Sequence, residues 1–270
     1  MKKYNPFLKW AGGKRWFVKS YAQLFPNNFN IYHEPFLGSG VVFFYLAPKK
    51  SVLSDINSAL INTYVAIKSD SEKVKRRLQF HNRSHCTEHY YRIRSGIKGS
   101  LYAQAGDFIY LNRTCWNGLY RVNNVGKFNV PIGDRDSIIR ESDDFISISE
   151  LLKHSDLNSR DFTDSIEFVE QNDFCFIDPP YTVKHDNNGF LRYNENIFSW
   201  SNQESLRDEV VKLKNRGGKA LILNANHSSI KELYKGVGKI IPLSRHSMLA
   251  ANSRNRGVIK EIAIMVGYEK

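Results

Sequence analysis

The chain has 270 residues, enough for one large α/β domain carrying an insertion. Lys and Arg number 39 against 27 Asp and Glu, and the net charge of +12 favours a polyanionic partner, nucleic acid before membrane. Three scattered cysteines without a Cys-x-x-Cys pair exclude a disulfide framework and a zinc ribbon, and the longest apolar run, residues 41–47, is too short to span a bilayer. A soluble protein of a reducing cytoplasm is expected.

Near the amino terminus Phe7-Leu8-Lys9-Trp10-Ala11-Gly12-Gly13-Lys14 joins aromatic residues, two glycines and a lysine. It is not a phosphate loop, because Lys14 is followed by Arg15 and no glycine precedes it at the required spacing. Residues 31–35 and 51–55 read as strands around a helix starting near Gly40, a βαβ unit, with a further helix over 58–68. Between the first strand and that helix lies Glu34-Pro35-Phe36-Leu37-Gly38-Ser39-Gly40, whose glycines let backbone approach a ligand at the sheet edge. It lacks the third glycine of a dinucleotide fingerprint, which disfavours NAD. Leu53-Ser54-Asp55-Ile56-Asn57 places a carboxylate after the second strand, where sheet enzymes bond a ribose. Glycine turn and acid together imply a nucleoside cofactor.

Residues 72–80, 88–94 and 107–112 read as helices in a basic stretch: 73–140 holds 13 basic and 4 acidic side chains, whereas 141–180 holds 2 and 11. His81, His85, Cys86 and His89 are close in sequence, but no second ligand pair closes a tetrahedral metal site. A loop over 112–133 contains Arg113, Trp116, Asn117, Leu119, Arg121, Asn129 and Pro131. In a groove, Arg121 suits bidentate reading of guanine, Asn117 an adenine or orphan base, and Trp116 a wedge in the base stack. The alternative is a β-hairpin with Trp116 in the core.

A strand leading to Arg160 precedes the buried run Asp173-Phe174-Cys175-Phe176-Ile177, which ends in Asp178-Pro179-Pro180-Tyr181. There a carboxylate acceptor, the Pro179 carbonyl and the face of Tyr181 meet, a set suited to a planar amine. Two fixed acceptors holding both hydrogens of an exocyclic amine free its lone pair for an electrophile. The alternative is a strand stopped by Pro179 and Pro180, with Asp178 an ordinary turn residue. A helix over 202–215 and strands over 219–224, 239–243 and 261–266 complete a parallel α/β sheet with an inserted helical region. Arg245, Arg254, Arg256 and Lys260 occur in a stretch, 239–260, without an acid, and suit a phosphate-touching loop.

Residues 7–14, 34–40, 55–57, 112–133 and 178–181, in this order, resemble the Dam-type DNA adenine methyltransferases. The resemblance covers nearly the whole chain. It implies an α/β fold, a Rossmann-like class I methyltransferase sheet, with a catalytic domain over 1–57 and 150–270 and an inserted helical target-recognition domain over 58–149. It implies S-adenosyl-L-methionine held by Trp10, Lys14, Glu34, Pro35, Phe36, Gly38, Ser39, Gly40, Asp55 and Asp178, with Asp161 and Phe162 at its adenine. It implies that Asp178, Pro179, Pro180 and Tyr181 act on an adenine flipped from duplex DNA, Tyr181 stacking on the base. It implies a hairpin that reads GATC, with GATATC the next candidate. Arg113 and Asn117 fall on phosphate and base contacts, Trp116 on the wedge, Leu119 and Pro131 on apolar base contacts, Arg121 on the guanine reader, and Asn129 beside them. Trp116 is larger than the aromatic usual there. No nucleophilic cysteine is needed, and double-stranded DNA is the expected partner, with a cognate restriction nuclease a further candidate. The alternatives are a catalytically silent DNA-binding regulator with this fold, and methylation of RNA or of a protein amide.

Overall fold

The computed structural model describes residues 4–123, 125–183, 198–246 and 258–269. Arg254 and Arg256, and the side chains of Arg245 and Lys260, lie outside the described residues. Strands β1 (Tyr32–Glu34), β2 (Ser51–Asp55), β3 (Ser155–Ser159), β4 (Phe174–Ile177), β5 (Lys219–Ala225), β6 (Lys239–His246) and β7 (Val258–Val266) form a sheet ordered β3-β2-β1-β4-β5-β7-β6. This is the Rossmann-like class I sheet that the resemblance implies.

Contrary to expectation, the sheet is not parallel throughout, since β7 runs antiparallel to both β5 and β6. Apolar patterning records burial and says nothing of direction. The connection over 247–257 is shorter than the dozen or so residues that a parallel crossover takes.

The chain divides into two compact units, Met1–Val18 with Leu37–Ser159, and Lys19–Phe36 with Arg160–Lys270. In the first, β2 and β3 pair parallel from Ser51↔Ser155 to Asp55↔Ser159. Helix α1 (Arg15–Ser20) begins in this unit, α2 (Val41–Leu46) follows the glycine turn, and the long α3 (Ser58–Ser84) follows Asp55. Asn57 caps α3 by accepting from Leu60 N–H. Asp70 breaks it: its backbone leaves the helical region (φ −157°, ψ 88°) and its carboxylate caps the next turn at Lys73 N–H. The two helices expected here are therefore present as two segments of α3 that meet at a kink, the second capped by Asp70. Helix α4 (Thr87–Ser95) precedes α5 (Leu101–Thr114), whose last ten residues are all buried. Helix α6 (Phe145–Leu152) completes the unit, and α3 packs on α5, α6 and the two strands.

The second unit centres on β4, buried at every position between β1 and β5 in parallel register, Tyr32↔Phe174 and Ile177↔Ile222. Its core joins Cys175 and Ile177 to Leu206, Val210 and Leu213 of α8 (Trp200–Asn215), with α7 (Phe162–Ile166) packed alongside. Asp173, at the start of β4, is structural. Its carboxylate accepts from Ile31 N–H, Glu170 N–H and the His33 ring. Asp178, at the other end, emerges half-buried.

Candidate active site

In the first unit the carboxylate of Asp55 ties the strand end to the glycine turn. Oδ2 accepts from Gly38 N–H and Oδ1 from Asn57 N–H, both at 3.0 Å. Burial pushes this carboxyl up, against the pull of those two N–H groups. Each oxygen keeps a second lone pair, the acceptor pattern that vicinal hydroxyls require. Gly38 and Gly40 both have positive φ, 48° and 62°. A Cβ on Gly38 would fall 2.8 Å from Cδ1 of Trp10, so the turn accommodates the indole only as glycine. Trp10 in turn stacks on Tyr120 at 5.3 Å and on Phe108 at 6.4 Å. Ser39 and Lys14 are buried.

Segment 7–10 is also hydrogen-bonded to the end of α5. Asn112 accepts from Lys9 N–H at 2.9 Å and donates from Nδ2 to the Lys9 carbonyl at 2.8 Å and the Gly118 carbonyl at 3.4 Å. Arg113 is placed otherwise than expected. It is 1% exposed, and its five N–H groups meet the carbonyls of Phe7 and Ile138 and both oxygens of Asp143. A guanidinium so enclosed has no face for a phosphate, and its assignment to DNA is withdrawn. The whole second half of α5 is buried, and Arg113 is enclosed with it.

Of the remaining hairpin candidates, Asn129 is half-buried and the others are exposed. Trp116 is 52% exposed, which removes the alternative of a core tryptophan. Asn117 has φ 55°, in the left-handed region, and Leu119 and Pro131 are exposed. Trp116 N–H donates to the Pro131 carbonyl, and a bridge joins Cys115 to Ile132. Further out Val122 bridges to Phe128, and Arg121 Nε donates to Asn129 Oδ1 at 2.8 Å. Arg121, Val122, Asn123, Val125 and Asn129 line a shallow concavity.

The histidine cluster is spent on hydrogen bonds. The rings of His81 and His89 meet at 2.9 Å, His81 also meets Asp107 at 2.9 Å, Arg92 donates to His89, and His85 meets the Tyr110 hydroxyl. Among the described residues no group of His, Cys, Asp or Glu is arranged to hold a metal ion.

In the second unit Glu34 accepts from the Tyr32 hydroxyl at 2.7 Å. Pro35 leads to Phe36, whose ring stacks on Phe162 at 5.6 Å. Phe162 is 4% exposed and belongs to the core, while Asp161 caps α7 through Thr163 N–H. After β4, Pro179 is buried, and Asp178, Pro180 and Tyr181 are half-buried. The Tyr181 hydroxyl donates to Glu261 Oε2 at 2.6 Å, while Asp178 Oδ1 lies at 3.4 Å, beyond a good O–H···O bond. Burial first, and then the carboxylates of Asp178 and Glu261, hold this phenol well above its usual pKa, so it stays protonated. Burial likewise pushes the Cys175 thiol up, leaving no nucleophile beneath the turn. Glu261 went unremarked in the sequence, although it is the one acid in the apolar strand β7.

The model of the family described as D12 class N6 adenine-specific DNA methyltransferase matches residues 10–248. Type II methyltransferase M1.LlaDCHI of Lactococcus lactis subsp. cremoris is 35% identical, covering 96% of this chain and 94% of its own. Type II methyltransferase M.MjaIII of Methanocaldococcus jannaschii is 31% identical, covering 97% and 98%. The DNA adenine methylase of Escherichia coli (strain K12) is 30% identical, covering 97% and 95%.

Proposed function

Because the chain belongs to the D12 class of N6 adenine-specific DNA methyltransferases, we propose that it methylates the 6-amino group of an adenine flipped out of duplex DNA, using S-adenosylmethionine, within GATC. The observation that carries this reading is the turn after β4, where Asp178, Pro179, Pro180 and Tyr181 follow a fully buried strand. The cofactor supplies an electrophilic methyl group on a sulfonium sulfur. The chain's residues fit its nucleoside part: the glycine turn over which Trp10 lies, and the Asp55 carboxylate with lone pairs for ribose hydroxyls.

Asp178 accepts one hydrogen of the adenine amine and the Pro179 carbonyl the other. Held by both acceptors, the amine would present a lone pair withdrawn from its ring to that methyl group, and the proton lost on methylation would pass along the Asp178 hydrogen bond to solvent. Tyr181 keeps its own proton and offers its ring as the stacking surface. The rate gain is one of positioning and fixed charge. The exposed Trp116, Asn117 and Arg121 are the base-reading candidates of the hairpin. The type II naming of two relatives supports a companion restriction nuclease, with GATATC the second candidate site.

Mapping methylated adenines by sequencing in DNA from cells expressing the chain tests the site, and GATC is the expected motif. Asp178→Ala is expected to abolish methyl transfer while DNA affinity stays within a few-fold of wild type. Near wild-type turnover in that variant would refute the mechanism.

A further inference from the structure

Glu261 lies near the start of β7, opposite Ala225 of β5 and Leu243 of β6. It is 2% exposed, in a strand whose residues 262–266 are all buried and apolar. A carboxylate in such a place costs free energy unless it is bonded, and one of its partners is a hydroxyl of the candidate catalytic turn. The 2.6 Å distance from the Tyr181 hydroxyl to Glu261 Oε2 is that of a charge-assisted O–H···O⁻ bond. The second carboxylate within reach, Asp178, is 0.8 Å farther, comparing 3.4 Å with 2.6 Å. The phenolic proton therefore goes to Glu261.

We infer that Glu261 is a positioning residue for methyl transfer: it holds Tyr181 by the tip of its ring and keeps the phenolic proton off Asp178, leaving that carboxylate to accept from the substrate amine. This rests on the role proposed above for Asp178 and Tyr181. Two consequences come from the one bond. A ring anchored at its hydroxyl to a strand paired on both sides has a fixed axis, and because a phenolic hydrogen prefers the plane of its ring, the direction of the bond to Glu261 also orients the face on which a base stacks. If Glu261 were removed, the hydroxyl would turn to Asp178, the other carboxylate within reach among the described residues, and compete with the adenine amine for it. Tyr181 and Glu261 are 80 positions apart in the chain, and the antiparallel sense of β7 brings the beginning of that strand to the edge where β4 and β5 end.

The test measures single-turnover methylation of a duplex containing the site mapped by sequencing. Glu261→Ala is expected to lower kcat roughly 10- to 100-fold, the equivalent of one charged hydrogen bond. The KM for S-adenosylmethionine and the DNA Kd should change by no more than about twofold. Glu261→Gln, which keeps an acceptor oxygen, should recover part of the loss. In a Tyr181→Phe background Glu261→Ala should have little further effect, since no hydroxyl remains to redirect. With 2-aminopurine at the target position, Glu261→Ala should raise the emission of the bound duplex, reporting a base stacked less firmly. Equal losses from Glu261→Ala in the wild-type and Tyr181→Phe backgrounds, or wild-type kcat in Glu261→Ala, would overturn the inference. Should Glu261→Ala not fold, Tyr181→Phe alone decides, because it keeps the ring and loses the anchor: wild-type turnover and emission there would overturn it. Asp178→Ala, assayed in parallel, separates the two levels. Its retained turnover would overturn the role of the turn itself, whereas its inactivity beside a fully active Glu261→Ala would overturn the Glu261 inference alone.

Discussion

Replacing Arg113 by Met tests whether this arginine is a structural clamp. The guanidinium makes two bonds to the Phe7 carbonyl, at 3.2 and 2.9 Å, one to the Ile138 carbonyl at 2.6 Å, and a bidentate pair to Asp143 at 2.6 and 2.7 Å. Its side chain is 0% exposed and that of Asp143 8%. Methionine fills much of the volume but leaves the Asp143 carboxylate and two carbonyls short of donors. Breaking a buried ion pair from one side costs about 3 to 5 kcal/mol. At roughly 2 to 4 °C per kcal/mol for a chain of this order of size, the melting temperature should fall by about 6 to 20 °C. Urea unfolding gives the same quantity as a shift in midpoint at constant slope. The double variant Arg113→Met with Asp143→Leu should recover part of the loss, because the stranded charge is then gone. A phosphate contact predicts a different outcome, a slope of log K against log salt shallower by about one with stability intact. A stability loss under about 1 kcal/mol, or a shallower salt slope in a fully stable variant, would refute the clamp.

S-adenosylmethionine should raise the melting temperature by mass action, and Asp55→Ala should blunt that rise; no shift at millimolar cofactor, with no heat of binding, would remove the nucleoside pocket. Arg121→Ala should cost roughly 1 to 3 kcal/mol and relax discrimination at one base pair of the site; a loss uniform across single-base variants would make Arg121 a phosphate contact instead. Burial lowers the pKa of His81 and takes that of His89 to about 4, so below about pH 6.5 the unfolded chain binds protons that the folded one refuses. Stability should accordingly be lost as pH falls from about 6.5 toward about 4, and His89→Gln should flatten that part of the urea-midpoint profile; a profile unchanged by the substitution would count against the buried pair.

Much of the sheet was legible because its strands announce themselves locally. The second strand falls at Ser51–Asp55 as expected, since the pair Val52-Leu53 between serines, closed by an acid and a capping Asn57, needs no tertiary information. The direction of β7 was not legible, because residues 261–266 present the same apolar pattern to a parallel or an antiparallel partner. In the site, Asp55 and Asp178 could be picked out by their position after strands. Arg113 was misread because the motif it belongs to runs on into the exposed Trp116 and Asn117, while its own environment is set by Asp143, thirty residues on and invisible to any local pattern. The apolar run Phe108-Ile109-Tyr110-Leu111 just before it, which covers the helix all round, was the available signal that this end of α5 is enclosed. Glu261 had a signal as well, a lone acid in an apolar strand, but its partner 80 residues away did not.

The wedging of β7 between β5 and β6 also bears on how the chain comes to fold. Strand β6 is made before β7, yet its sheet partner is β7. A growing chain that has reached residue 246 therefore holds a strand with no ladder to join, and beside it the open flank of β5 with Leu221, Ile222 and Leu223. Exposed strand flanks of this kind recruit other chains. Residues 258–266 close both flanks at once. Completion of this half of the sheet is thus a late, concerted event, and a chain deprived of these few residues would leave β6 unpaired and one flank of β5 open, and would be prone to aggregate.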